Sequence, residues 1–230
     1  MYCYKCMNET EDGVFCAYCG NRLDAAAALH HLTPGTLLNG KYRIGDFIGE
    51  GGFGITYIGR DENLDIRIAI KEYYPCGFVS RDNNNSSKVT VSAQKNADFF
   101  ENGKKRFLQE ARSLAKFSEE PGIVKVRDYF EENDTAYIVM EYLEGETLSK
   151  RIGREGRLEA EPFLAKMLPL MHSLKNFHQA GMIHRDISPD NIMFMKNGTL
   201  KLMDFGSARY FTNNELEMSV ILKDGYSPEE

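Results

Sequence analysis

Within eight residues, His184-Arg185-Asp186-Ile187-Ser188-Pro189-Asp190-Asn191, the chain sets an acid, a cation, a hydroxyl and an amide side by side. Pro189 and Asn191 do not continue a helix comfortably, so the stretch reads as a rigid loop that carries chemistry, with groups suited to proton transfer and to pairing with anions. A second reactive set opens the chain, Cys3-x-x-Cys6 and Cys16-x-x-Cys19. Secreted disulfide scaffolds scatter cysteines across a domain, whereas two such pairs this close together fit one tetrahedral metal. Four sulfurs leave no open coordination position, which makes the site structural rather than catalytic. Unligated thiols in a tail and a redox dithiol are the competing readings. Cys76 stands alone after Pro75 and has no assigned role. This cysteine usage indicates a reducing compartment.

The elements that must position these groups follow from patterning. The 230 residues, 42% of them hydrophobic, suffice for one sizeable core or two modest lobes. A net charge of −6, from 28 basic and 34 acidic residues, gives no electrostatic argument for nucleic acid or an anionic membrane. No run approaches the ~20 apolar residues of a membrane span, and the N-terminus lacks the apolar segment of a signal peptide, so a cytoplasmic location is expected.

From Tyr42 the chain alternates through Ile44 and Phe47-Ile48 into Gly49-Glu50-Gly51-Gly52-Phe53-Gly54, then Ile55-Thr56-Tyr57-Ile58. A dinucleotide-binding fold would need a helix directly after the third glycine. A strand-forming run follows instead, which puts the glycines at a hairpin tip, where backbone N–H groups can approach phosphates without a Cβ in the way. A third strand, 66–70, ends at Lys71, whose ammonium requires a negative partner beside so apolar a segment. Phe100, Phe107, Ala111, Leu114 and Phe117 share one face of a helix expected at 99–117, with Glu110 at the edge of that face. The intervening 72–96 reads as an insertion with a polar turn at 82–87 and an extra strand at 88–91. Strands are expected at 124–130 and 135–143. A helix is expected at 159–180, kinked by Pro169, stopped by Gly181 and striped by Phe163, Met167, Leu170, Leu174 and Phe177. Asn197-Gly198 then signals a hairpin leading to Asp204-Phe205-Gly206. Residues 21–35, with Ala25 to Ala28, His30-His31 and Thr33-Pro34-Gly35, read as a linker with solvated histidines.

Taken together these residues resemble the signature of the bacterial eukaryotic-like Ser/Thr protein kinases, in the subgroup whose loop reads HRDxSPDN, behind a small N-terminal zinc ribbon of four cysteines. The resemblance implies an α+β, two-lobed kinase-like fold. Its parts would be a ribbon at 1–20, a linker at 21–35 and a kinase domain at 36–230, with a β-rich lobe to about 143 and an incomplete helical lobe from 144. It implies ATP and Mg²⁺ held between the lobes and a structural Zn²⁺ on Cys3, Cys6, Cys16 and Cys19. Gly49, Gly51, Gly52 and Gly54 would cover the phosphates, and Lys71, oriented by Glu110, would hold them. Thr56, Ala69 and Met193 would sandwich the purine; Met140 would be the gatekeeper, and the backbone of Glu141 and Leu143 would read the adenine edge. Asn191 and Asp204 would hold Mg²⁺, the hairpin bringing a carboxylate beside an amide. Asp186 would orient the acceptor hydroxyl and take its proton, and Arg185 would pair with an anion of the segment after Asp204, where Thr212 and Ser219 are candidate phosphorylation sites. Met7 stands where ribbons often carry glycine.

Ser188 stands where the family has lysine. Aligning Gly225-Tyr226 with the family's Gly-Tyr puts Lys223 at the position of its partner threonine, so the pair would be kept with its members exchanged. An alternative alignment on Ser227-Pro228-Glu229 moves Lys223 away. The chain stops before the helices that support the loop from below, so apolar surface beneath the loop is expected to be exposed. The implied partners are ATP, a protein substrate and a protein that the ribbon recognises. A scaffold that binds nucleotide or partners without transfer is the alternative function, and phosphorylation of a small molecule a third.

Overall fold

Alternating apolar residues from Tyr42 onward build an antiparallel meander, and the computed structural model places it in the first of two units. Residues 1–11, 13–23, 30–82 and 86–205 are described, with the backbone of Arg209–Tyr210. One unit holds Met1–Ala111 with Val126–Tyr142, the other Arg112–Lys125 with Leu143–Glu230. The strands of the first unit are β1 (Leu37–Leu38), β2 (Tyr42–Gly51), β3 (Gly54–Asp61), β4 (Ile66–Tyr73), β5 (Val79–Ser80), β6 (Thr90–Val91), β7 (Val126–Glu132) and β8 (Thr135–Glu141), with most of helix α1 (Ala97–Ala115), whose last four residues are counted with the second unit. Six strands form one sheet in the order β1-β2-β3-β4-β8-β7, and β5 pairs β6. The register sets Thr56 opposite Lys71 and Lys71 opposite Ile138, with Ala69 opposite Met140 in a neighbouring row.

Successive strand residues point to opposite faces. On the face of Lys71 and Tyr73, helix α1 packs through Phe100 and Phe107, whose rings lie 5.3 and 5.6 Å from that of Tyr73. The other face carries Ile55, Tyr57, Ile70 and Tyr137, all buried in one core with Leu32, Val79 and Val89. Segments on both sides of the meander therefore cover it. Within the expected 21–35 linker, the described residues from His30 onward are packed rather than solvated. His31 and Leu32 are 4% and 1% exposed, the Tyr57 hydroxyl accepts the Leu32 N–H at 3.1 Å, and Gly35 N–H donates to Ile44 O. Backbone pairing around the second cysteine pair likewise continues past residue 20, with a bridge between Phe15 and Arg22 and a bond from Leu23 N–H to Val14 O.

Glu72, beside Lys71, is fully buried on this covered face. It accepts from the Tyr57 hydroxyl at 3.0 Å, the Tyr137 hydroxyl at 2.8 Å and both terminal nitrogens of Arg81. Arg81 also donates to Ser87 O and His30 O, so the ion pair fastens the insertion and the N-terminal segment to the sheet. Burial raises the pKa of both phenols, and the Glu72 charge raises them further, which keeps them as donors.

The second unit contains β9 (Gly145–Thr147), α2 (Leu148–Glu155), α3 (Ala160–Gln179), β10 (Met182–Ile183), β11 (Ile192–Met195), β12 (Leu200–Leu202) and β13 (Arg209–Tyr210). Strands β12-β11-β9 form one sheet and β10 pairs β13. Helix α2 was not legible from periodicity. It begins where the Thr147 side chain accepts the Lys150 N–H at 3.2 Å. Helix α3 runs as one element through Pro169, and Ser173 Oγ donates to Pro169 O. Ser173 Oγ also accepts Gly122 N–H at 3.0 Å, and Gly122 lies so close that an added Cβ would sit 2.6 Å from Leu170 Cα. Leu170 and Phe177 are buried as expected from the stripe, while Leu164, Leu168 and Met171 on the remaining surface of α3 are 58%, 54% and 52% exposed. Asn197-Gly198 closes a longer loop than a two-residue hairpin: Met195 N–H bonds Thr199 O, Gly198 N–H bonds Met195 O, and only Gly198 takes positive φ. Among the described residues no helix is long and apolar enough to cross a membrane.

Candidate functional site

The glycine-rich hairpin shows which of its glycines serve packing and which leave room. Strands β2 and β3 close at Gly51 opposite Gly54, after register shifts on either side of Phe47. A Cβ on Gly54 would lie 2.5 Å from the carbonyl oxygen of Glu72, so that glycine is required by the adjacent strand. A Cβ on Gly49, Gly51 or Gly52 would meet nothing within 4 Å. These three leave the backbone open to a ligand. The tip is tied down by Tyr74 N–H to Phe53 O and Cys76 N–H to Gly52 O. In the same sheet, Thr56, Lys71, Ala69 and Met140 occupy the neighbouring positions given above, with Glu141 at the end of β8. Glu110 is half-buried on α1, three residues after Phe107, which holds that helix against the Lys71 face.

In the second unit the acid and the amide of the loop meet. Asn191 Nδ2 donates to the main-chain oxygen of Asp186 and to its Oδ2, each at 2.8 Å. Asn191 N–H closes the turn onto Ser188 O, and Met203 N–H donates to Asn191 O at 2.9 Å, which joins the loop to the residue before Asp204. His184, fully buried, makes the same connection through its side chain: Nδ1 accepts Asp186 N–H at 3.2 Å and Nε2 faces Met203 O at 3.2 Å. The His184 ring stands edge-on to Phe205 at 4.5 Å, and Phe205 in turn meets Phe177 of α3 at 5.3 Å. Arg185 and Asp204 take φ of 65° and 59°. The left-handed conformation costs a non-glycine residue about 1–2 kcal/mol, and packing on both sides holds it here. Ser188 is 2% exposed, Leu143 is 8% exposed, and Met193 on β11 faces Thr147 and Lys201 in register. Lys223, Thr212, Ser219 and the Ser227-Pro228-Glu229 stretch lie outside the described residues, and with them the expected exchange with Ser188.

The four N-terminal cysteines converge. Cys3 Sγ lies 3.7 Å from Cys19 Sγ, and Cys6 Sγ 3.8 Å from Cys16 Sγ. Tetrahedral Zn–S bonds of about 2.3 Å put sulfurs about 3.8 Å apart, so the set fits one zinc. Both knuckles have the same backbone: Met7 N–H bonds Cys3 O, and Gly20 N–H bonds Cys16 O, with φ of 54° and 69°. Burial pushes the Cys3 thiol up to about 12, whereas at Cys16 the Cys19 and Tyr18 amides outweigh burial and bring it to about 6. The cluster is docked on the sheet. Asp46 N–H bonds Tyr4 O at 2.7 Å, Arg60 donates to Met7 O at 3.0 Å, and the Met7 side chain is fully buried over Gly45.

Comparison with known proteins agrees with this geometry. Residues 42–230 match the protein kinase domain family. The chain is 34% identical over 180 residues to the serine/threonine-protein kinase PknA of Mycobacterium tuberculosis, covering 76% of this chain and 37% of that one. It is 34% identical over 174 residues to the serine/threonine-protein kinase PrkC of Bacillus subtilis, covering 76% and 24%. A solved structure titled "PpkA-294 apo form" matches at TM-score 0.71 and 36% identity, over 77% of this chain and 62% of that one. The chain thus spans 24–37% of the length of these two curated relatives. With the glycine hairpin, the HRD loop and the Asp204 segment all inside the matched region, the chain belongs to the protein kinase domain family.

Proposed function

We propose that this chain carries the catalytic groups for transferring the terminal phosphoryl group of ATP to serine or threonine hydroxyls of proteins. The observation that carries the reading is the double hydrogen bond from Asn191 to Asp186, inside a loop that His184 and Met203 tie to Asp204. It fixes the Asp186 carboxylate in one orientation. Phosphoryl transfer asks for alignment and charge neutralisation more than covalent help. Asp186 orients the acceptor hydroxyl and takes its proton. Lys71, held by Glu110, binds phosphate oxygens beneath the open glycines, and the backbone of Glu141 and Leu143 reads the purine sandwiched by Thr56, Ala69 and Met193, with Met140 as gatekeeper. Asn191 and Asp204 offer the oxygens that suit Mg²⁺, which when bound neutralises charge on the phosphates. Ser188 and Lys223 share the work of the absent loop lysine. The cysteine cluster, with zinc, is a structural module, and zinc supplies on the order of 10 kcal/mol to such sites.

The relatives' names favour a protein substrate. Phosphorylation of a generic protein substrate from labelled ATP and Mg²⁺ tests the reading, with Asp186→Asn expected to lower the rate about 10²–10⁴-fold. Equal incorporation by the two proteins would overturn it. A nucleotide-binding scaffold is the second reading, favoured by the serine in the lysine position. It predicts ATP binding with no transfer in either protein.

A further inference from the structure

Glu50, between Gly49 and Gly51, turns back onto the N-terminal segment. His30 Nε2 lies 2.9 Å from its Oε1 and His31 Nε2 3.0 Å from its Oε2, so both carboxylate oxygens meet an imidazole. The ligating atoms of all three residues fall within 4.8 Å of one another. The imidazoles are held by packing: the His31 ring lies 4.4 Å from Phe47 and 6.2 Å from Tyr57, and the His30 ring lies 4.3 Å from His31 and 6.0 Å from Tyr74. His31 is 4% exposed, while His30 and Glu50 reach solvent.

A hydrogen-bonded ion pair would need one histidine. Two, converging on opposite oxygens of a single carboxylate, make a donor set of two imidazoles and one carboxylate with a side open to water. That set suits borderline divalent cations such as Zn²⁺ or Co²⁺. Tetrahedral bonds of about 2.0–2.1 Å would space the donors about 3.3 Å apart, so the two N–O gaps would widen by about 0.3–0.4 Å and the remaining donor spacings, within 4.8 Å, would close onto the ion. We propose that His30, His31 and Glu50 form a second divalent-metal site, separate from the four cysteines, that ties the N-terminal segment to the glycine-rich turn. It does not depend on the catalytic reading above.

Titration of the full chain, without a polyhistidine tag, with Co²⁺ alone distinguishes the two sites. Thiolate-to-cobalt charge transfer in the near ultraviolet reports the cysteines, and cobalt bound without any gain in that band reports a nitrogen–oxygen site. Two equivalents are expected. His30→Ala, at a solvent-reaching position, should weaken the second by at least tenfold and leave the charge-transfer band intact. Cys16→Ser with Cys19→Ser should do the reverse. Near-ultraviolet circular dichroism confirms the fold of His30→Ala, and His31→Gln repeats the test with the ring's volume roughly kept. A single equivalent of cobalt, or a second equivalent undiminished in both histidine variants, would overturn the proposal.

Discussion

Gly54 and the carbonyl of Glu72 stand so close that a methyl group on Gly54 would sit 2.5 Å from that oxygen, while one on Gly52, two residues earlier, would meet nothing within 4 Å. One hairpin therefore contains glycines with different physical duties. Gly54→Ala should destabilise the fold by about 1–3 kcal/mol, because backbone on the neighbouring strand cannot yield cheaply. Gly52→Ala should change stability by less than about 0.5 kcal/mol and instead raise KM for ATP about fivefold, the equivalent of one phosphate hydrogen bond. Urea unfolding and steady-state kinetics on the two variants separate these effects. Equal losses of stability in both would refute the division.

Asn191 donates to Asp186 through Nδ2, and the function proposed above gives its side-chain oxygen a second duty toward Mg²⁺. Asn191→Ala should lower kcat about 10²–10³-fold and raise the Mg²⁺ concentration for half-maximal rate. Asp186→Asn should lower kcat without moving that concentration. Magnesium titrations of both variants decide it, and an unmoved requirement in Asn191→Ala would remove Asn191 from the metal.

The sequence disclosed much of the fold around the candidate site because those parts are local. The glycine hairpin, the strand carrying Lys71, which runs on to Tyr73 beyond the expected end, and the loop at 184–191 each carry their geometry within a dozen residues, and Asn197-Gly198 marked the reversal that returns the chain to Asp204. What stayed hidden depends on distant partners. Arg81 meets Glu72 through an insertion that showed only a polar turn and a short extra strand, and burial of that pair follows from the segments that cover this sheet face. His30 and His31 read as solvated for the same reason, since Glu50 and Phe47 come from a strand beyond a Thr-Pro-Gly turn. Helix α2, eight residues long, is too short for periodicity to declare it.

Acid should weaken the first unit through Asp128. Its Oδ2 accepts from the Tyr42 hydroxyl at 2.7 Å and lies 3.2 Å from Lys41 Nζ. Burial works against the charge, but the bonds from Tyr42, Lys41 and the Tyr129 N–H outweigh it and hold the carboxyl below its ordinary value. Burial, reinforced by Asp128, raises the Tyr42 phenol to about 12, so it remains a donor. A carboxyl whose folded pKa is depressed contributes stability that is complete above its unfolded value and lost as pH falls through the folded one. The window is therefore below about pH 4. Half-exposed Lys41 limits the gain, so about 0.5–1 kcal/mol should disappear there. Asp128→Asn should flatten that part of the stability profile by the same amount, measured by urea unfolding from pH 5 to pH 2.5; an unchanged slope would exclude Asp128 as its source.

Met7 holds the position where a knuckle favours glycine, and two opposing magnitudes decide what glycine would do there. Its φ of 54° costs a side chain about 1–2 kcal/mol, which Met7→Gly would recover. The same change would empty a fully buried site over Gly45, where removing a methionine side chain costs about 2–5 kcal/mol. Burial wins, so Met7→Gly should destabilise the protein by about 1–3 kcal/mol although it restores the commoner ribbon residue. Gly45→Ala approaches the same contact from the sheet: its Cβ would lie 2.4 Å from Tyr4 O and 2.7 Å from Met7 Cε, which forces the ribbon off β2. In both variants a chelator should lower Tm by less than it does in the parent chain, because metal and sheet would no longer be coupled through Met7. A full chelator response in Gly45→Ala would show that metal held by the cysteines contributes to stability without that contact.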